Sequence, residues 1–396
     1  MSMVHEEIHS KVCKKILGIG ESVINNGLMV ERIGGLMGAD AGIMLFLYLY
    51  ARVMGDEEAG RKAEELTERF MERLPEAGSA SYCDGWAGIL TCLDYLRRCG
   101  YVDVETDEVM EDVERGMEVY TEQCLRRRMF ELLYGSAGTG LYWLARGDGK
   151  MTGRIVNAMY ECKETDGMSG GYKWRLGSMR AADGLRYNLS MSHGIVGALL
   201  FLLRVVEKYN DESAREMVEG GIRYLLSLKG DGTDGISLFP SVVDGDEYLS
   251  RRNSRLGWCY GDLGCAYLLY EASRVSVRDD WCEAAMEIYR HAAGRRTRET
   301  SLVVDAGLCH GAAGIAMMFD DIYGKTGDAA FRECMEYWMG QTLGHARFPD
   351  GIAGYRTFYV NDWYNDFSLL TGVSGIGLMM LSYISGDRGW YRLLLP

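Results

Sequence analysis

The chain has 396 residues and a formal net charge of −14, an acidity that disfavours a nucleic-acid partner and an anionic membrane surface. Only 4 prolines, with abundant Leu, Met, Ala, Tyr and Glu, favour helix over sheet, whereas 51 glycines are many for a helical protein and call for a specific cause. The 11 cysteines are odd in number and lack framework spacing, which points to reduced thiols in a cytoplasm rather than a disulfide-stapled secreted fold.

The first turns of the chain carry Glu6, Glu7, Lys11, Lys14 and Lys15 without an apolar segment, unlike a signal peptide. The longest apolar stretches, near 43–50 and 195–203, are too short to span a bilayer. Ala39–Asp40–Ala41–Gly42 is then a degenerate first copy of a unit in which a short loop leads into Gly-x-x-Gly and an apolar helix. Full copies start at Gly85, Gly135, Gly194, Gly261, Gly311 and Gly372. The seven units are separated by roughly 46 to 67 residues, a spacing that signals a helical repeat array. Between them lie amphipathic charged segments, at 57–74, 108–124, 213–228, 279–293 and 329–343, each with one apolar stripe. The helices after each Gly-x-x-Gly are apolar nearly all round, as buried helices are.

Seven buried and seven exposed helices in alternation predict an all-α fold, an α/α toroid spanning 1–396 as one domain. All inner helices would start at one end of the ring. Glycines one turn apart, lacking Cβ atoms, would let neighbouring inner helices approach closely. The long connections 163–192, 229–257 and 344–370 enter the same end, where binding is expected. Residues 236–243 read as a short strand, so 229–257 is expected to form a small extension.

The two residues before each first glycine bring the chemistry. They are Cys83–Asp84, Leu133–Tyr134, Ser192–His193, Cys259–Tyr260, Cys309–His310 and Leu370–Thr371. Cys259, Cys309 and His310 come from adjacent repeats and supply two sulfurs and a nitrogen, the donors of a zinc ion with one vacant position. A lone cysteine is usually a small buried hydrophobe, but this combination at equivalent slots reads as metal. His193 is either a fourth ligand or an unligated imidazole serving as general acid or base. Arg255 lies in the loop before Cys259, and Glu131 lies four residues before Gly135; each could reach the same mouth or simply pair at the surface. Cys83 shares the slot but belongs across the ring. Gly135 to Gly140 resembles a phosphate loop without its Lys–Ser/Thr ending, and the repeat already explains it. His5, His9, His291, His345 and the other cysteines show no partner pattern.

Seven Gly-x-x-Gly units with Trp258–Cys259–Tyr260–Gly261, Cys309–His310–Gly311 and Ser192–His193–Gly194 resemble the lanthionine synthetase C-like (LanC) family over nearly the whole chain. The resemblance implies an α/α toroid with one zinc held by Cys259, Cys309 and His310. It implies a stand-alone lanthionine cyclase that adds peptide cysteine thiols to dehydroalanine or dehydrobutyrine. His193, Arg255 and Tyr260 would be active-site groups by motif match. Glu131 stands where the family commonly has Asp. Chemically, a zinc with two thiolates keeps a third, substrate sulfur nucleophilic. A cation such as Arg255 could stabilise the enolate, and His193 could protonate the α-carbon with Glu131 or Tyr260 assisting. No dehydratase-like region is read in the chain, so a dehydrated precursor peptide and a separate dehydratase are the expected partners. The alternatives are addition of glutathione to dehydroamino acids, as in some LanC-like proteins, and a non-catalytic toroidal peptide-binding scaffold. A prenyltransferase toroid is disfavoured because its spacing is not matched.

Overall fold

The structure, a computed structural model, describes residues 3–26, 34–38, 40–74, 78–103, 107–177, 187–233, 235–243 and 252–396. In chain order its helices are α1 (Met3–Asn26), α2 (Asp40–Met54), α3 (Glu57–Arg73), α4 (Trp86–Arg98), α5 (Asp107–Arg126), α6 (Ser136–Arg146), α7 (Gly149–Cys162), α8 (Ile195–Tyr209), α9 (Glu212–Ser227), α10 (Asp262–Ser276), α11 (Asp279–Gly294), α12 (Arg298–Ser301), α13 (Ala312–Thr326), α14 (Ala329–Gly344) and α15 (Val373–Ser385). Short strands β1 (Glu164–Thr165), β2 (Tyr172–Lys173), β3 (Tyr187–Asn188), β4 (Val242–Val243), β5 (Thr357–Tyr359) and β6 (Asp362–Tyr364) lie in the connections. The predicted alternation is present: α2, α4, α6, α8, α10, α13 and α15 start at the repeat slots, with more polar helices between them. Ala39, the first position of the degenerate copy, lies outside the described residues.

The glycine at the head of each repeat is a helix N-cap without a side chain, so the first helical N–H needs another acceptor. The loop supplies it by folding back. Trp86 N–H donates to the Ser79 carbonyl at 3.1 Å, Ser136 to Met129 at 2.7 Å, Ala312 to Asp305 at 3.0 Å and Val373 to Asp366 at 2.9 Å. This fold-back, more than helix approach, is what requires glycine. A Cβ on Gly314 would stand 1.8 Å from the Leu308 carbonyl oxygen, and one on Gly375 1.9 Å from that of Leu369. The neighbouring repeat presses second, with Leu308 Cδ1 2.7 Å from the same Gly375 position. Gly261 differs from the other cap glycines in having φ of 91°, which favours glycine for backbone reasons as well.

A substitution pair separates these roles. Gly314→Ala is expected to destabilise by about 1–3 kcal/mol through overpacking. Gly340→Ala in α14, where an added Cβ meets nothing within 4 Å, is expected to stabilise by about 0.5–1 kcal/mol. Urea midpoints of the two variants check this, and equal midpoints would refute the fold-back argument.

Four of the outer helices, α3, α7, α9 and α14, use side-chain caps instead. Asp56, Asp148, Asp211 and Asp328 accept from Ala59, Met151, Ala214 and Ala330 N–H respectively, each worth about 1 kcal/mol.

The chain divides into two compact units. In the first, Met1–Val113 with Val303–Leu395, α13 packs on α15, α15 on α2 and α2 on α4, with α14, α1 and α3 outside them. In the second, chiefly Glu114–Leu302, α6 packs on α8 and α8 on α10, with α7, α9 and α11 outside. Thr121 Oγ1 of α5 binds Thr139 Oγ1 of α6 at 3.0 Å in the same unit. Within each unit the loops preceding the inner helices are laced by backbone hydrogen bonds. Cys309 N–H donates to Leu370 O at 2.7 Å, Leu370 N–H to Met37 O at 3.0 Å and Met37 N–H to Cys83 O at 3.0 Å. In the other unit Leu133 N–H donates to Ser192 O and Ser192 N–H to Cys259 O, both at 3.3 Å.

The strand expected over 236–243 is mostly absent. Only Val242–Val243 pairs, antiparallel to β3. The N–H groups of Ile236 and Ser237 go to the Arg252 carbonyl, and those of Leu238 and Phe239 go to the buried Asp262 carboxylate. Pro240 has no N–H to offer. Of the extension expected over 229–257, residues 234 and 244–251 lie outside the described residues. No described helix is long and apolar enough to cross a membrane.

Candidate active site

Glu131 is the acid most firmly placed. Its Oε2 accepts from Leu133 N–H at 3.0 Å and its Oε1 from Tyr134 N–H at 2.6 Å. In three of the equivalent loops a serine does the capping: Ser81, Ser190 and Ser368 hydroxyls accept from Asp84, His193 and Thr371 N–H. The longer glutamate caps the turn and still reaches outward. Its Oε2 lies 2.9 Å from His193 Nδ1. Tyr134 stacks parallel on the imidazole, centroids 5.9 Å apart. Glu131 is buried while the His193 side chain stays 39% accessible, so the ring keeps a reachable edge. Burial pushes the imidazole pKa down, but the hydrogen bond and charge of Glu131, with the charge of Cys259, outweigh it and leave the pKa raised.

Cys259 is buried, and its carbonyl accepts from Met191 N–H at 3.1 Å and from Ser192. The next residue, Tyr260, has its hydroxyl 3.2 Å from Asn188 Nδ2, which donates to it. Arg255 is half-buried, and its carbonyl faces Gly261 Cα. Among the described residues its guanidinium makes no hydrogen bond or ion pair. The loop's fixed cation is instead Arg295, which donates to Asp262 Oδ2 at 2.9 Å, Ser254 O at 2.6 Å and Thr300 O at 2.9 Å.

At the start of α13, Cys309 and His310 are half-buried. The Cys309 amide is tied to Leu370, which fixes the backbone beneath both side chains. Asp305 Oδ2 lies 3.6 Å from His310 Nε2. Burial would raise the Asp305 pKa, but His310 and the N–H groups of Phe358 and Gly307 hold it below the usual carboxylate range.

Residues 40–395 match the family described as "Lanthionine synthetase C-like protein". The chain belongs to the lanthionine synthetase C-like family. Its fold is similar to that of the solved "Nisin cyclase", an α/α toroid, with a TM-score of 0.72, 17% identity and coverage of 97% of both chains. It is also 25% identical over 349 residues to "Glutathione S-transferase LANCL1" of Danio rerio, covering 85% of this chain and 78% of that protein.

Within this LanC-like chain the structure brings Glu131 to His193, and gives Tyr260 and His310 partners absent from the sequence reading. Asn188 and Asp305 both stand six residues before a repeat glycine, as do Ser79 and Asp366. In all four the side chain accepts from the N–H two residues on. A polar residue recurring at that slot is visible in the sequence, but the two positions nearest the glycine do not reveal it.

Proposed function

We propose that this protein is a zinc-dependent lanthionine cyclase acting as one seven-repeat domain on a dehydrated precursor peptide. The observation that carries the reading is that Cys259 stands before α10 and Cys309 with His310 before α13 at equivalent repeat slots, so the chain offers two thiols and an imidazole that could hold a metal ion. Two sulfurs and an imidazole nitrogen fit zinc with a position left for substrate. The Asp305 carboxylate behind the imidazole fits the second layer of such sites. When bound, zinc would lower the pKa of a substrate cysteine so that it presents a thiolate near neutral pH.

The chain's own residues account for the remaining steps. The thiol sulfur forms a bond to the β-carbon of the dehydroamino acid, and its proton is released. Negative charge develops on the adjacent carbonyl oxygen, where the half-buried Arg255 guanidinium would stabilise it. A proton then goes to the α-carbon. His193, raised in pKa by Glu131, is the donor we assign, with Tyr260 assisting. The sum is an isomerisation: one S–H and one C=C become one C–S and one C–H.

Incubation with a dehydrated, cysteine-containing peptide tests this. Cyclisation removes an alkylatable thiol while leaving peptide mass unchanged. The likeness to a glutathione S-transferase supports a second reading, in which the peptide gains the mass of glutathione instead. Consumption of neither thiol would refute both and favour a binding scaffold. The dehydratase that must precede this reaction is proposed to be a separate protein, and both are proposed to act in the cytoplasm.

A further inference from the structure

Asp305 is 1% exposed yet takes part in four contacts that converge on the start of α13. Its own carbonyl accepts the first helical N–H, from Ala312, at 3.0 Å. Its Oδ1 accepts from Gly307 N–H at 3.4 Å, and its Oδ2 accepts from Phe358 N–H of β5 at 3.1 Å. The same Oδ2 lies 3.6 Å from His310 Nε2. Phe358 belongs to the β5–β6 hairpin, held further by Thr357 Oγ1 donating to Thr371 O at 2.8 Å. The rings of Phe348, Phe358 and Trp363 cluster at its base. Tyr359, Val360 and Tyr364 are exposed beyond them.

We propose that Asp305 is a positioning residue of the metal site, fixing which nitrogen of His310 faces the metal and joining the β5–β6 hairpin to it. This rests on the zinc reading above. An ionised carboxylate only accepts hydrogen bonds, so we assign the proton to Nε2, the imidazole nitrogen that faces Asp305 Oδ2 across 3.6 Å. The lone pair of Nδ1 is then the one left for zinc. A carboxylate in that place also makes the imidazole a more basic ligand and restricts ring rotation. The shared Oδ2 makes hairpin order and imidazole orientation one event: a change that pulls Phe358 away alters the hold on His310.

The experiment compares the whole protein with Asp305→Asn, using zinc alone as the probe. Zinc affinity is measured by competition with a chromophoric chelator, and exchange of the Phe358 amide by NMR or mass spectrometry. The variant keeps the side-chain shape but cannot accept from all its donors at once. Affinity should fall about 10- to 100-fold and Phe358 exchange should rise. Unchanged affinity and exchange would overturn the inference. Nitrogen-15 spectra of the wild-type histidines provide a reading that needs no variant: a proton on Nε2 of His310 supports the proposal and a proton on Nδ1 overturns it. Wild-type protein that takes up no zinc would defeat the cyclase reading, whereas the ring spectrum would still decide the Asp305–His310 pairing.

Discussion

Cys309→Ala is expected to purify without zinc and to lose more than about 99% of thioether formation while remaining folded. Structural zinc sites are worth about 10–16 kcal/mol over four ligands. One ligand therefore represents roughly 3 kcal/mol, or at least about a hundredfold in affinity. The fold should tolerate the change because it is the Cys309 amide, bonded to Leu370 O, that ties this loop to its neighbour, and the side chain is half-buried. Metal analysis beside the wild type, with helical content from circular dichroism, checks both halves. A variant that keeps one zinc per chain would remove Cys309 from the ligand set. A variant without zinc at full activity would remove the metal from the reaction.

Glu131→Gln is expected to move the alkaline limb of the rate profile to lower pH. Glu131 contributes the hydrogen bond and charge that raise the His193 pKa against burial. The sign follows from the protonated ring being the acid. Its stabilisation is complete below the unfolded value and is lost as pH rises through the raised folded value. Without the carboxylate charge that upper limit falls, so the loss should be roughly tenfold or more near pH 8 and smaller near pH 6. His193→Ala should lose about 10²–10⁴-fold at all pH values while keeping zinc. A Glu131→Gln profile that drops uniformly, with no shift of the limb, would show that Glu131 only caps the turn at Leu133 and Tyr134. That structural share alone is worth about 1–2 kcal/mol.

The inner helices were legible because a steric demand, not a preference, writes their starts: no side chain fits under the Leu308 or Leu369 carbonyl. The outer helices were legible through their amphipathic period, and the Asp caps that start α3 and α9 came only with the structure. The proposed metal-ligand trio is readable in the sequence because Cys259 and Cys309 share one repeat slot and His310 stands beside it. What escaped was mediated by groups distant in sequence or by backbone. Arg295 reaches Asp262 across 33 positions, and no local pattern announces such a pair. The apolar run 236–243 has strand composition, yet a buried carboxylate took its amides before a ladder could. Asp305 escaped because its slot carries turn-forming polar residues elsewhere, and only the proximity of His310 gives this one a second task.

The backbone lacing of the loops has a consequence for how such a protein can change. Cys309, Leu370, Met37 and Cys83 are joined through main-chain atoms, as are Leu133, Ser192 and Cys259. Sulfur, hydroxyl and hydrocarbon side chains thus occupy the same socket without being asked to hold it. The scaffold is indifferent to what the socket displays, so ligands can be gained, lost or exchanged between repeats at little risk to folding. Reactivity and foldability are written on separate atoms of the same residues, and mutation can explore the first while the second stays intact.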